Sequence, residues 1–494
     1  MSVSRYDTPP QVSDSGSETL RTVESQLAGH PSFGNSERIL GRADARYRFA
    51  LEVLGSQLPG AAADADTITK SAEYALRDPV LITACEDAML RLERGDLHAL
   101  DEFETVTGLV ADRLREFPGL LPTQAEDEPV FLLDRPSRIW LLGMRPKPGP
   151  LLQRLHDAMT DQFLRYNQVT GNFCPADAAA AESISRAIEL LRLLLPQLSA
   201  SVIEHISAVA LLSGTTPTGR HLSAAGGDLV PGTIVLSPHL LSSPWDCSGI
   251  LLHEGLHLKA FDIMRSFALV SEPRETIEIP WRHVRWDMRR VFVSFHVYAH
   301  LVLFQAAALH RADELSAQFG PLPDNVAVSR SGSGEYAGSV DRMRFLGEQL
   351  VGPLRGNLTQ DGLRLVNWLL QVTSPLTGWQ ETRQPAAQDA PVRQDVPVPQ
   401  AATGVGDTRY RRVPGIVVKP LPDLEMAYVY NPGTRQVSCL NLHAWAILEL
   451  CDPDTNLADS YANLVGHRLG PENTSRHLAA GVAQLAEQAL ITRV

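Results

Sequence analysis

The segment His253-Glu254-Gly255-Leu256-His257 constrains the fold of this chain more than any other feature. Two histidines four residues apart face the same side of an α-helix, one turn apart, so both imidazoles can reach one metal ion. Glu254 lies on the flank of that face, close enough to exchange a proton with a water molecule at the metal. The segment therefore predicts a helix with two metal ligands and an acid–base group.

The residues around this segment favour the helix. Ser243 is the expected N-cap, Pro244 takes the first helical position, and Asp246 is placed to complete a capping box. From Ile250 onward the segment is apolar on nearly every side, which predicts a buried helix. Gly255 in its middle costs about 1 kcal/mol relative to Ala and would permit close approach of another element. The alternative is a core helix whose two histidines are hydrogen-bonded to other groups.

A metal site needs a third protein ligand. The metzincin pattern is excluded because Ala260 and Ile263 stand where that class has Gly and His. A thermolysin-like enzyme takes a Glu from a following helix, but the next glutamates lie in an extended segment and are weak candidates: Glu272, Glu275 and Glu278.

A second apolar helix, predicted from Trp286 to about His310, carries His296 and His300 one turn apart. We predict His296 as the third ligand and His300 as its neighbouring partner, or the reverse. For either residue the alternative is a buried histidine with an ordinary hydrogen-bonding role.

Cationic residues surround the motif. Lys259 follows the second histidine by two residues, and Arg282 and Arg285 lie between the two predicted helices. A histidine-rich site suits Zn, Fe, Co or Ni, so the ligands do not choose the metal. An Fe(II) oxygenase that uses 2-oxoglutarate needs a cation for the distal carboxylate, whereas a peptidase does not. Surface charges and ion pairs are the ordinary alternative for these three residues.

The run GILLHEGLHLKAFDI, the following Pro-Trp-Arg and the His-x-Tyr-x-His helix together resemble the 2-oxoglutarate-dependent HExxH-type peptide β-hydroxylases of ribosomal-peptide biosynthesis. The resemblance covers about residues 231–315. It implies Fe(II), 2-oxoglutarate and O2, with hydroxylation of a β-carbon in a peptide. It also implies that His253, His257 and His296 are the metal ligands and that Lys259 or Arg282 holds the 2-oxoglutarate.

The C-terminal part has a different composition. A segment rich in Pro, Gln, Ala and Asp, at 377–412, predicts a flexible linker. Three strand-like runs follow, 415–421, 426–430 and 436–440, and then three helical patterns, 442–451, 458–469 and 475–490. This order predicts a small winged-helix-like α+β domain at 413–494 with an edge strand that a peptide can join.

The run YNPGTRQVSCLNLHAWAILELCDPD and the Leu-rich last helix resemble a PqqD-like recognition element, which binds the leader segment of a precursor peptide. The matching residues include Leu440, Asn441 and Trp445. The resemblance implies that the leader adds as a strand beside the β-ribbon and packs against the last helix. The residues expected to contact it are Tyr428, Tyr430, Trp445 and Leu485.

Composition limits the remaining possibilities. The formal net charge is −13, and the tail lacks a basic recognition helix, so we expect no nucleic-acid partner. The five cysteines are scattered without a C-x-x-C pair, which favours a reducing compartment and no thiolate metal site. We see neither a signal peptide nor a run of about 18 apolar residues, so we expect a cytoplasmic protein without a membrane partner.

The fold class expected is mainly α. Residues 1–35 are predicted to be disordered, and 36–376 to form a helical, zincin-like HExxH domain with little sheet. Within it, 182–198 and 202–212 have helical patterns, while Gly232–Ser237 and, more weakly, Trp140 onward resemble strands.

Three functions compete. The first is an Fe(II)/2-oxoglutarate peptide hydroxylase in which Glu254 orients a ligand or water. The second is a zinc metallopeptidase, acting on a precursor peptide, in which Glu254 is the general base. The third is a non-catalytic scaffold whose metal site is structural or absent.

Overall fold

The computed structural model describes residues 14–494 except 72, 97–99, 128–129, 132–138, 145–146, 167, 218, 220, 272, 327–335, 379–408, 422–425 and 470. Within these residues the protein is mainly helical, which confirms the predicted fold class at that level. Most of the predicted linker lies outside the described residues.

Fifteen α-helices lie within the described residues. In chain order they are α1 (Asp14–Gly29), α2 (Ser36–Gln57), α3 (Ala62–Lys70), α4 (Pro79–Arg94), α5 (Asp101–Glu116), α6 (Pro150–Met159), α7 (Ala178–Leu194), α8 (Pro196–Ile203), α9 (Pro244–Ser266), α10 (Met288–Phe319), α11 (Ser339–Val351), α12 (Gln360–Thr377), α13 (Leu442–Leu450), α14 (Leu457–Leu469) and α15 (Pro471–Glu487).

The described strands are short. They are β1 (Val130–Phe131), β2 (Trp140–Leu141), β3 (Thr170–Cys174), β4 (Ala208–Thr215), β5 (Ala224–Gly226), β6 (Thr233–Leu236), β7 (Thr276–Ile279), β8 (Val284–Asp287), β9 (Tyr410–Arg412), β10 (Val417–Leu421), β11 (Met426–Asn431), β12 (Gln436–Asn441) and β13 (Ile491–Arg493).

The chain divides into two compact units. Unit 1 comprises Met1–Asp44, Lys70–Thr83 and Val106–Gln380, and unit 2 comprises Ala45–Thr69, Ala84–Thr105 and Glu381–Val494. Residues 45–69 and 84–105 therefore group with the C-terminal part of the chain, although the sequence analysis assigned them to the HExxH domain.

The sheet of unit 1 has the order β1-β2-β4-β6-β5, and β3 also pairs with β4. Its central strand β4 covers part of the run 202–212 that the sequence analysis predicted as a helix, so that prediction was wrong beyond the end of α8 at Ile203. The error has a physical reason. A strand covered on both faces is apolar at successive positions, as Ala208–Leu212 are, and a short apolar run does not distinguish strand from helix.

Helices α7, α9 and α10 pack around one another in the core of unit 1. Helix α10 is long and apolar enough to cross a membrane by length and composition alone, but 83% of its most apolar window is buried. Such burial is typical of a core helix in a water-soluble protein, so this helix is weak evidence for a membrane span.

The prediction of disorder through residue 35 was wrong for the described part of that segment. Helix α1 begins at Asp14 and buries Leu20, Val23 and Leu27 in the core of unit 1, where Phe33 joins them. These apolar residues recur at helical spacing, so burying one face of α1 offsets the entropy lost on ordering. Residues 1–13 lie outside the described part of the chain.

Unit 2 contains the three-stranded antiparallel sheet β10-β11-β12, followed by α13, α14 and α15. The three strands and three helices predicted from 415 onward are confirmed to within a few residues, although α15 begins earlier, at Pro471. Strand β9 lies inside the segment predicted as a linker and pairs with β13, which the sequence analysis did not predict.

Helix α2 contacts the sheet of unit 2. Phe49 stacks on Tyr428 of the central strand with ring centroids 6.0 Å apart, and Glu52 forms a 2.6 Å ion pair with Lys419. The helices α13–α15 and the sheet share an apolar core that includes Val429 and Leu440. Because β11 has helices on both faces, its residues are buried without alternation.

Gly255 provides a test of the packing of α9. A Cβ there would lie 2.6 Å from Val202 Cγ1 and 3.1 Å from Ile206 Cδ1, whereas at Gly41 in α2 it would meet nothing within 4 Å. We expect Gly255→Ala to lower the free energy of unfolding by roughly 1 kcal/mol, since overpacking outweighs the gain in helix propensity. The matched control Gly41→Ala should raise it by about 1 kcal/mol. Urea denaturation measures both, and equal stabilisation by the two changes would contradict this packing.

Candidate active site in unit 1

The start of α9 fixes the direction of the HExxH helix. The Ser243 hydroxyl accepts a hydrogen bond from the Asp246 backbone N–H at 3.2 Å, and Pro244 occupies the first helical position, as predicted. Most of the helix is buried, including the aromatic ring of Trp245 at its start. The two motif histidines are therefore held on a rigid element.

His253 and His257 converge. Their Nε2 atoms are 3.2 Å apart, and the ring planes are tilted by 65°. Two nitrogens this far apart, each about 2.1 Å from a common metal ion, subtend an angle of about 100° at the metal, between octahedral and tetrahedral geometry. The same separation suits a single N–H···N hydrogen bond between two neutral rings. The separation is therefore compatible with one cation shared by the two rings, and equally with a direct hydrogen bond between them.

Both rings are held neutral. Burial, with the nearby charges of Arg282 and Arg342, lowers the pKa of His253 to about 4. Burial, with His253 and Arg290, lowers the pKa of His257 well below its ordinary value. A metal ligand must be an unprotonated imidazole, so this environment keeps both residues in the form that binds metal.

Glu254 is buried beside the pair. Burial raises the pKa of its carboxyl to about 7, against a weaker opposing effect of a hydrogen bond donated by the Gly226 backbone N–H. A carboxyl with a pKa near neutrality can both accept and release a proton at physiological pH. Glu254 therefore has the position and the protonation behaviour of an acid–base group.

These three side chains line a cavity of about 830 Å³ in unit 1. The lining includes residues 223–229, which contain the end strand β5, and several residues of α10. Gln162 enters from a π-helical turn, Thr160–Tyr166, that continues α6. A cavity of this size is within the range of cosubstrate and substrate sites.

The predicted third ligand, His296, is close enough to His257 for that residue to lower its pKa, but it is not part of the cavity lining. His296 and His300 are fully buried on α10, and neither lines the cavity. Within the described residues no three His, Cys, Asp or Glu side chains are grouped closely enough to hold a metal. Both ring nitrogens of His296, and Nε2 of His300, have no hydrogen-bond partner in the described part of the chain. The assignment of either residue as a ligand stays a prediction.

The acidic alternatives do not fill this position either. Glu275 and Glu278 are exposed near the β7–β8 hairpin, and Glu272 lies outside the described residues.

Lys259 faces away from the cavity. Its ammonium donates to the Gly34 carbonyl at 2.5 Å and to the Ser201 hydroxyl at 2.6 Å, and burial lowers its pKa to about 7. A residue two positions beyond His257 is rotated by roughly 200° around the helix, which explains the opposite direction. The structure thus separates Lys259, expected to hold 2-oxoglutarate, from the two histidines.

The two predicted arginines differ in placement. Arg282 lines the cavity and is close enough to His253 to lower its pKa. Arg285 is exposed on the same hairpin and donates to the hydroxyl and carbonyl of Thr276 at 2.9 and 2.6 Å. Arg285 is not among the residues that line the cavity. Of the three predicted cations, Arg282 is therefore the one placed to meet an anion in the cavity.

Two further arginines line the cavity and were missed by the sequence analysis. Arg289 pairs with Asp228, and Arg290 lies over the ring of Trp286 at 4.8 Å. Both belong to the first turn of α10, whose N-cap Asp287 accepts from the Arg290 backbone N–H at 2.8 Å. An Asp-Met-Arg-Arg sequence at a helix start is the signal that could have indicated them.

In unit 2, three of the four predicted peptide contacts are core residues. Tyr428, Tyr430 and Leu485 are 0–2% exposed, and only Trp445 is partly exposed, with its indole N–H 3.2 Å from Glu449. Tyr428 and Tyr430 are buried because β11 is the central strand of its sheet. These three side chains stabilise the unit, and a peptide on its surface would not contact them.

Comparison of the chain with models of known protein families found no match, and comparison with curated proteins also found none.

The buried Glu254 carboxyl predicts a pH effect on stability. Its pKa is about 7 in the folded protein, above the ordinary value of 4.5, so folding favours the protonated form. The contribution of the Glu254 carboxyl to the free energy of unfolding is therefore fully present below pH 4.5. It is lost as the pH rises through 7, so that the free energy of unfolding falls by roughly 3 kcal/mol in total. In metal-free protein, Glu254→Gln should therefore be stabilising relative to the natural chain at pH 8 and nearly neutral at pH 4.5. Urea denaturation at both pH values measures this difference, and a pH-independent effect would contradict it.

Proposed function

We propose that this protein is an Fe(II)- and 2-oxoglutarate-dependent hydroxylase acting on a β-carbon in a ribosomally made precursor peptide. The observation that carries the proposal is one cavity with the neutral His253–His257 pair and the cation Arg282. Fe(II) with bound 2-oxoglutarate and O2 supplies the oxidising chemistry, in which the keto acid becomes succinate and CO2 and one oxygen atom enters a C–H bond.

The described residues supply part of the ligand set that the metal would need. His253 and His257 would hold it, because their Nε2 atoms converge and both rings are neutral. His296, whose two ring nitrogens lack partners in the described part of the chain although it is fully buried, remains our proposed third ligand. An unpartnered buried imidazole costs free energy, which supports a role in binding something beyond the protein's own groups.

The chain's own groups would orient the reactants. The Arg282 guanidinium can bind a carboxylate in a bidentate manner, and Arg290 adds positive charge near His257. Glu254, held by Gly226, would orient a ligand or a water molecule beside the pair. The α10 residues that line the cavity include the apolar Val297, Leu301 and Phe304, which would shield the reacting groups from water.

Unit 2 would bind the leader of the precursor. We propose that the leader adds as a strand to an edge of the β10-β11-β12 sheet and contacts Trp445, whose side chain is partly exposed. Buried Tyr428, Tyr430 and Leu485 would support this surface from within.

A zinc metallopeptidase is the second candidate, and Glu254 favours it. A carboxyl with a pKa near 7 beside two histidines on one helix is the arrangement that a general base in such an enzyme requires. Such an enzyme has no use for Arg282, which is why the hydroxylase is our first proposal.

An anaerobic titration separates the two. Metal-free protein is given Fe(II) and then 2-oxoglutarate, and the visible spectrum is recorded. We expect a weak charge-transfer band that disappears when O2 is admitted, with succinate formed, and no band in His253→Ala. Tightly bound zinc without such a band, followed by cleavage of candidate precursors, would instead establish the peptidase.

The same band tests the role of Arg282. We expect Arg282→Met to weaken 2-oxoglutarate binding by about 10–100-fold, because a charge-assisted bidentate contact is lost. Arg285→Met is the matched control, since Arg285 is on the same hairpin but bonds to Thr276, and its affinity should equal that of the natural chain. Equal weakening by both changes would show that Arg282 has no special contact with the keto acid.

A further inference from the structure

One cation of the cavity has no carboxylate partner among the described residues. Arg290, in the first turn of α10, lines the cavity and is exposed. Its guanidinium lies over the Trp286 ring at 4.8 Å and makes no ion pair with any residue that the structure describes. The neighbouring Arg289, by contrast, is paired with Asp228. The charge of Arg290 is therefore available to a ligand in the cavity.

Ser294 follows Arg290 by one helical turn, on the same face of α10. It also lines the cavity, and it is only 8% exposed. Its hydroxyl makes no hydrogen bond within the described part of the chain. Because a buried hydroxyl without a partner costs free energy, this side chain is an independent indication that a polar group from outside the chain binds beside Arg290.

The donors of this subsite favour a carboxylate. A guanidinium can only donate hydrogen bonds, and a serine hydroxyl can donate one, so a group with two acceptor oxygens and a negative charge fits both. The keto acid of the proposed reaction has its own cation. Arg282 lowers the pKa of His253, whereas Arg290 lowers the pKa of His257. Each histidine of the pair thus has an arginine near it, and a second carboxylate can bind at Arg290.

We infer that Arg290 and Ser294 bind the side-chain carboxylate of an aspartate in the precursor peptide, and that this aspartate is the residue modified. This inference rests on the proposed function, because it names the substrate of the same cavity. The β-carbon of an aspartate carries the carboxylate directly, so binding the carboxylate fixes the β-carbon relative to the histidine pair. One atom of O2 would convert the β C–H bond to C–OH, and the other would enter succinate as 2-oxoglutarate loses CO2.

The test uses metal-free, full-length protein and two short peptides, Ala-Asp-Ala and Ala-Asn-Ala. Both are amidated at the C-terminus and carry an uncharged coumarin at the N-terminus, so they differ only in the side-chain carboxylate. Fluorescence anisotropy measures their affinities. Arg290→Met removes the cation, and Ser294→Ala removes the hydroxyl. Arg311→Met is the matched control, because Arg311 is on the same helix but pairs with Glu314 and is not among the residues that line the cavity.

We expect the natural chain and Arg311→Met to bind the aspartate peptide about 10-fold more tightly than the asparagine peptide, the effect of a charge-assisted contact. Arg290→Met should bind the two peptides equally, and Ser294→Ala should lower the preference by about threefold. Equal binding of the two peptides by the natural chain, or no measurable binding of either, would overturn the inference. An unchanged preference in Arg290→Met would overturn it as well.

If Arg290→Met does not fold, Arg290→Lys takes its place. A lysine keeps the charge but cannot make the bidentate contact, so the preference for the aspartate peptide should fall about threefold while binding of the asparagine peptide stays the same. A preference equal to that of the natural chain would then contradict a contact between Arg290 and the carboxylate.

Two readouts separate this inference from the proposed function. The peptides are compared without metal, so their relative affinity decides the inference whether or not the Fe(II) band forms. Where the band forms, Arg290→Met should bind 2-oxoglutarate as the natural chain does, because Arg282 holds the keto acid. A loss of 2-oxoglutarate affinity in Arg290→Met as large as its loss of aspartate-peptide affinity would make Arg290 part of the keto-acid site and would overturn the inference.

Discussion

The convergence of His253 and His257 in the cavity of unit 1 is the constraint on which the rest of the site depends. Two imidazoles one helical turn apart lie on the same face of the helix, and here their Nε2 atoms are 3.2 Å apart. Burial keeps both rings neutral, so they repel neither each other nor a cation. The surrounding elements are arranged to preserve this geometry. Helix α10 and strand β5 both contact α9.

The opposite face of α9 explains how the helix is fixed. There Asp262 contacts His205 Nδ1 at 2.5 Å, His205 Nε2 contacts the Ser36 hydroxyl at 2.9 Å, and Lys259 donates to Ser201. These hydrogen bonds tie the helix to the first residue of α2, to the last turn of α8 and to His205 just beyond α8. A buried polar network has few alternative arrangements, so it holds α9 in one orientation about its own axis. That orientation directs the two motif histidines into the cavity. Lys259 thus acts on the structure of the helix and not on a ligand.

Features encoded by local signals could be predicted from the sequence. The start of α9 at Ser243 and Pro244, and the strands and helices of unit 2, depend on caps, turns and periodicity within a few residues. Strand β4 could not be distinguished from a helix, because burial on both faces removes the periodic pattern. The direction of Lys259 follows from helical geometry and could have been predicted.

Features that depend on contacts between distant segments of the chain could not be predicted from local sequence patterns. The burial of α1 is determined by residues far away in the chain, and so is the contact of Phe49 with Tyr428. The same holds for Gly226, which bonds to Glu254 and was not singled out in the sequence. The cavity arginines Arg289 and Arg290 lie in a helical turn whose direction only the packing of α10 determines.

The most direct test of the central claim is crystallographic. Crystals grown without oxygen in the presence of Fe(II) and a non-reactive 2-oxoglutarate analogue should give an anomalous iron peak about 2.0–2.3 Å from the Nε2 atoms of both His253 and His257. The carboxylate of the analogue should lie within hydrogen-bond distance of Arg282. Iron bound at another place in the protein would contradict the account. So would a direct hydrogen bond between His253 and His257 in crystals whose iron is fully bound elsewhere.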